Sequence, residues 1–268
     1  MPRLSEIYYS REECISAVRG YYNFLTNMYL DEPDVIEPPA EGWPDITTST
    51  MQGLGKTDEV ISLLRRLPYI REPDNDMDWA QSAGYSYFAD WQDIGRLLSR
   101  DPSQAEPRKV ASESASLFEV IPPHVIGLTH RSREVFLLDT ELGIVLWYEC
   151  PGEIRHSPSR ERVEDDPYDY EEDEAQAEWR GECTAWAVSG FFEMLKDQFR
   201  ELQFIPLNHR VVVDVYTRLW PGSAGMRELV QSVYKEHGWP DTGRYRKEDC
   251  LKAIQKALEE HYPDDASI

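Results

Sequence analysis

Few residues in this chain have types and spacings that could do chemistry. Gly53-Leu54-Gly55-Lys56-Thr57 has the tail of a phosphate-binding loop, in which backbone N–H groups cradle phosphates and a lysine reaches them. The cradle needs a further glycine at position 50 and a buried strand before it. The chain has Thr50 there, after Ile46-Thr47-Thr48-Ser49, so the stretch reads as a turn followed by a helix cap at Thr57. Cys183 precedes an amphipathic segment, where a helix N-terminus could activate a thiol. No sequence-local partner accompanies it, and an idle cysteine is the plainer reading. The six histidines, at 124, 130, 156, 209, 237 and 261, form no H-E-x-x-H and no i, i+4 pair. Ser189-Gly190 lacks the first glycine of a nucleophile elbow, because Ala187 stands there. No catalytic set, cofactor site or metal site is therefore expected.

The stretch 161–178 differs from the rest of the chain. It holds ten acidic residues and one basic residue, Arg162. Asp165, Asp166 and Asp169 offer three carboxylates within five residues, an oxygen set suited to calcium, but without the Gly and terminal Glu of an EF-hand spacing. Mutual repulsion should keep the segment out of the core. Tyr168 and Tyr170 alternate with the acids and Pro167 stiffens the chain between them. Aromatics in such a setting offer contact area at low entropy cost. Asp165, Asp166, Tyr168, Asp169, Tyr170, Glu171 and Glu172 are accordingly the candidate partner-binding residues, on a surface loop leading into a long helix.

The elements that must position these residues centre on Glu134–Trp147. Val135–Leu138 and Ile144–Trp147 are apolar runs joined by Asp139-Thr140-Glu141-Leu142-Gly143, a hairpin with a glycine free to take positive φ. The runs are nearly continuous, which predicts central strands covered on both faces. Ser10 with Glu13 starts a helix carrying Cys14, Val18, Tyr21, Tyr22, Leu25 and Met28. Residues 31–49 read as an ordered Pro-rich loop. Thr57 opens a second helix, stopped by Pro68. Residues 71–82 read as an acidic loop, 85–91 as a strand or a short helix, 99–116 as a flexible loop. Leu117–Ile121 and Val125–Leu128 read as strands. The 3.6-residue period from Trp186 to Leu202 predicts a helix from about 185 to 201 lying across the sheet. Val211–Tyr216 reads as a last strand before two closing helices. Fold class is thus α+β: a mostly antiparallel central sheet with packed helices. One domain is expected over 1–268, with a core at about 55–205, an N-terminal helix and loop at 1–54, and a helical C-terminal extension at 206–268.

Over 268 residues, 50 Asp and Glu against 28 Lys and Arg give a net charge of -22. Such a surface repels nucleic acid and anionic membranes and speeds encounters with basic proteins. Four dispersed cysteines, Cys14, Cys150, Cys183 and Cys250, indicate a reducing compartment. With no apolar leader and no membrane-length run, the cytoplasm is the expected location, with the nucleus also open.

Phe136-Leu137-Leu138-Asp139-Thr140, then Gly143-Ile144-Val145, then Ser189-Gly190-Phe191-Phe192-Glu193-Met194-Leu195 resembles the Smi1/Knr4 (SUKH) superfamily in motif order. Leu67-Pro68-Tyr69 resembles that family's Leu-Pro-x-Tyr element, and the chain looks like fungal proteins of this type. The likeness spans about half the chain and omits the family's Gly-Gly, the acidic insert and the last sixty residues. It implies an α+β domain that binds other proteins and has no active site. The leading expectation is a non-enzymatic interaction or scaffold module with an acidic face for a basic protein. The alternatives are an enzyme with a spatially assembled site, whose acidic segment binds a metal or basic substrate, and a structural subunit of a larger complex.

Overall fold

The computed structural model describes residues 2–73, 79–156 and 158–266. Helix α1 (Arg11–Met28) starts at Ser10, whose hydroxyl accepts the Glu13 N–H at 3.3 Å. Strand β1 (Val35–Ile36) comes next, and helix α2 (Asp58–Leu64) is capped by Thr57. Strand β2 (Tyr69–Ile70) pairs with β1. The stretch read as an acidic loop at 71–82 includes 74–78, which lie outside the described residues. Helices α3 (Trp91–Arg100) and α4 (Ala105–Glu113) follow. Strands β3 (Val125–Gly127), β4 (Val135–Asp139) and β5 (Ile144–Tyr148) come next, then three short helices, α5 (Gly152–His156), α6 (Pro167–Tyr170) and α7 (Glu174–Gly181). Strand β6 (Cys183–Ala187) leads directly into α8 (Val188–Arg200). A small ribbon, β7 (Phe204–Pro206) with β8 (Val212–Asp214), precedes α9 (Met226–Glu236), α10 (Lys247–His261) and α11 (Pro263–Ala266).

The chain is α+β, and its central sheet is antiparallel in the order β3-β4-β5-β6, with the hairpin strands in the middle. Alternation sends Phe136, Leu138, Val145, Trp147 and Trp186 to one face and Leu137, Ile144 and Leu146 to the other. Both sets are buried, which explains the continuous apolar runs. On the first face α8 presents Phe191, whose ring meets Phe136 at 5.1 Å, and α1 packs behind α8. The C-terminal helices join the same apolar cluster through Tyr234, Cys250, Ile254 and Leu258, and the Tyr245 hydroxyl donates to Met28 O at 2.7 Å. The second face is covered by Leu117, Ile121, Val163 and Trp179. At the hairpin turn, Asp139 Oδ1 accepts the N–H groups of Glu141 and Leu142, and Gly143 takes φ +69. A Cβ at Gly143 would also meet Tyr9 N at 2.7 Å, where the N-terminal segment crosses.

Several expectations are corrected. Residues 99–116 are not a flexible loop: α3 ends at Arg100, Asp101 caps a short 3-10 turn, and α4 runs to Glu113, held by buried side chains rather than by an apolar stripe. Leu117–Ile121 is a run of tight turns, with Leu117 O accepting the Val120 and Ile121 N–H groups. Its buried residues, Leu117 and Ile121, are four apart, a helical-turn spacing rather than a strand's. The long helix begins at Val188, because 183–187 buries every second residue against β5. In 85–91, Phe88 bridges Thr129 beside β3, and Asp90 caps α3. The last expected strand is present as β8, shorter than 211–216, and it pairs with β7 in a separate ribbon.

Candidate functional site

The acidic segment is ordered by its own carboxylates. Asp166 caps α6, its Oδ1 accepting the Tyr168 N–H at 3.1 Å, with Pro167 at the first helical position. Asp173 caps α7 through the Ala175 N–H at 2.8 Å. Asp165 Oδ2 accepts the Leu4 N–H at 2.8 Å and ties the segment to the N-terminus. Glu171 Oε1 lies 2.8 Å from Arg180 Nε, while Arg180 Nη2 donates to Asp139 Oδ2 at 2.7 Å. Arg180 and Asp139 are both fully buried, and the guanidinium stacks 4.6 Å from the Trp179 ring centre. Asp139 thus holds the hairpin turn with one oxygen and, through Arg180, the acidic segment with the other. A charge-assisted pair of this kind fixes register as well as charge.

Between the segment and the second face of the sheet runs a groove of about 560 Å³. Ile144, Leu146 and Ala185 give its apolar lining, and Asp165, Asp166, Tyr168 and Tyr170 its acidic and aromatic wall. Four of the seven sequence-predicted residues therefore meet at one groove. Asp169 and Glu172 stay exposed outside it, and Glu171 is drawn off to Arg180. Tyr168 is 60% exposed. Tyr170 is half-buried, and burial pushes its phenol up to about 12 against the opposing pull of Arg180. The segment is a surface element, but it is built from two short helices rather than one loop, and it leads through α7 into β6 before α8 begins.

Sequence reasoning missed Arg180 and Arg155 and noted Arg162 only as the one basic residue of the stretch; all three line the groove. For Arg180 the signal was present: it is the first basic residue after the run of acids. The other candidate motifs fall elsewhere. Lys56 Nζ lies 2.6 Å from Glu113 Oε1 with both side chains buried, so the Gly-Leu-Gly-Lys-Thr stretch points its ammonium into an ion pair. Cys183 opens a strand rather than a helix. Its thiol donates to Trp179 O at 3.3 Å, and burial pushes its pKa well up, away from nucleophile character. His130 is buried and driven down to about 4 by desolvation and by the charges of Arg108 and Arg131. Among the described residues no three His, Cys, Asp or Glu side chains gather as a metal-binding group, and no helix is long and apolar enough to cross a membrane. Compared with protein-family models, curated proteins and solved structures, the chain finds no match in any of the three.

Proposed function

We propose that the chain is a non-enzymatic protein-interaction module whose acidic face docks a protein with a basic surface. The observation that carries this reading is Tyr168, 60% exposed on a short helix that Asp166 and Pro167 hold in place beside the groove. A rigid, exposed aromatic among carboxylates is a costly surface for solubility alone and a good anchor for a partner. Asp169 and Glu172 flank it, exposed and with no side-chain partner among the described residues, so their charge is free to act on an approaching cation. The Smi1/Knr4 resemblance, whose members bind other proteins, points the same way. Under this reading the acids mainly raise the association rate, and binding weakens as salt screens them.

The test is quantitative affinity capture from source-cell extract, at low and high salt, with wild type and with Tyr168→Ala/Asp169→Asn/Glu172→Gln. The module reading expects a basic protein whose capture is salt-sensitive and drops in the triple variant. An identical captured set with identical salt dependence would reduce the segment to a solvated spacer.

A further inference from the structure

A second groove, of about 440 Å³, opens where the N-terminal segment crosses the hairpin turn. Its lining is apolar at Ile7, Ala187 and Val188 and acidic at Glu6 and Glu13, and no Lys or Arg lines it among the described residues. Tyr8 stands in its wall, 80% exposed. Among the described residues the exposed large apolar side chains are Tyr8, Tyr168 and Trp220, so two of the three stand at the two grooves.

The chain on both sides of Tyr8 is fixed. Leu4 and Ile7 pack against the second-face cluster. Tyr9 packs against the first-face cluster, and its hydroxyl donates to Glu59 Oε1 at 2.7 Å. The ring is therefore presented from a backbone held at Ile7 and Tyr9, which keeps the entropy cost of docking on it low. The two grooves are also joined. Asp165 of the acidic segment accepts the Leu4 N–H at 2.8 Å. Both grooves lie along β6, the edge strand of the central sheet: the acidic one at Cys183–Ala185, the other from Ala187 into the start of α8. From Cys183 to Ala187 the strand runs about 13 Å.

We propose that the docking surface runs on from the acidic groove into this one, and that one extended segment of the basic partner lies across both, with Tyr8 as its second aromatic anchor. This rests on the docking reading above and adds to it the length and course of the bound segment. Charge selects the occupant. With a net charge of -22 and carboxylates at both grooves, a second copy of the chain would bring like charges face to face. The arginines of the acidic groove do not reverse this. Arg162 pairs with Glu164, and Arg180 with Asp139 and Glu171, which leaves Arg155 alone against the charges of Asp165 and Asp166. A segment that alternates lysine or arginine with apolar residues suits both grooves. Its cations meet the carboxylates, and its apolar side chains meet the linings at Leu146 and Val188. Spanning 13 Å with an overhang at each end takes about six or seven extended residues.

Calorimetry with a terminally capped Lys-Val-Lys-Gly-Lys-Val-Lys peptide, about 23 Å when extended, tests this. One molecule should bind per chain. Tyr8→Ala and Tyr168→Ala should each weaken it by about tenfold, the loss of an aromatic anchor. Both side chains are exposed, so the fold tolerates their replacement. Trp220→Ala removes an equally exposed ring that lines neither groove and should leave affinity unchanged. Weakening in Tyr168→Ala with none in Tyr8→Ala overturns the extension and leaves the acidic groove as the whole docking site. Two peptides per chain would mean independent grooves and overturn the single segment. An equal loss in Trp220→Ala would mean unselective contact with exposed rings and overturn it too. No binding, or equal affinity in wild type and all variants, overturns the extension and the acidic-face reading together.

Discussion

Lys56→Met is the most informative single change. The wild-type pair joins the turn before α2 to the end of α4, with Lys56 Nζ 2.6 Å from Glu113 Oε1 and side-chain exposures of 1% and 0%. Burial lowers the lysine and raises the glutamate, so each group is held in charged form by the other. Removing the lysine leaves a buried carboxylate without its ion-pair partner, a loss of about 3–5 kcal/mol. At roughly 2 °C per kcal/mol for a chain of this size, melting should fall by about 6–10 °C. Lys56→Met/Glu113→Leu removes both charges and should return to within about 1 kcal/mol of wild type, so the two losses are strongly non-additive. The variant also carries its own pH test. Glu113 then has a folded pKa well above its unfolded value, so its contribution is intact below the unfolded pKa and is lost as pH rises. Protonating a carboxyl of unfolded pKa ~4.3 costs about 1 kcal/mol at pH 5 and nearly 4 at pH 7. The Lys56→Met defect should therefore shrink to about 1 kcal/mol at pH 5. Urea denaturation at both pH values reads it. Additive losses, or a defect of equal size at pH 5 and pH 7, would refute the account. Calorimetry of wild type should also show no ATP or GTP affinity at this loop, since its lysine is already occupied.

Leu137 is fully buried on the second face of the sheet, and Leu137→Ala should cost about 2–5 kcal/mol through lost burial plus a cavity, seen as a lower urea midpoint. At Gly127 a Cβ would run into the backbone carbonyl of Ser112, where β3 meets α4, so Gly127→Ala should cost about 1–3 kcal/mol. A melting temperature within one degree of wild type would contradict that approach. Burial raises Glu72 to about 7, so its stability contribution is present below its unfolded pKa and is lost as pH rises toward 7. Burial lowers His130 to about 4, so its contribution is present above its unfolded pKa and is lost as pH falls toward 4. Relative to wild type, Glu72→Gln should gain up to about 3 kcal/mol as pH rises from about 4.5 to 7. His130→Asn should gain similarly as pH falls from about 6.5 to 4, and stability profiles parallel to wild type in both variants would exclude this assignment.

What could be read from the sequence was whatever a local period encodes. The hairpin strands were visible because β4 and β5 are covered on both faces and so are apolar throughout. The buried face of α1 follows the spacing of Cys14, Val18, Tyr21, Tyr22 and Leu25. Where one residue's environment depends on a distant segment, the period misleads. Trp186 fits a helical stripe with Phe191 and Leu195, yet its place opposite Val145 makes it a strand residue. Helix α4 carries little apolar periodicity, and its last residue is fixed by Lys56, far away in sequence. Leu117-Phe118-Glu119-Val120-Ile121 has strand composition, but only its first and last residues are buried, which a turn satisfies and a strand does not.

The acidic segment shows the same limit in electrostatic form. Composition counts its carboxylates but does not say which are committed. Asp166 and Asp173 saturate helix N-termini, where a cap contributes about 1 kcal/mol. Asp165 holds the N-terminal backbone, and Glu171 completes the coordination of a buried arginine. Neutralising all of these together would loosen the segment as well as discharge it, so a lost partner could reflect either cause. Asp169 and Glu172 have no side-chain partner among the described residues and remain exposed beside Tyr168. The docking hypothesis therefore rests on these three residues, and the structural carboxylates earn their place by keeping Tyr168 still rather than by contacting a partner.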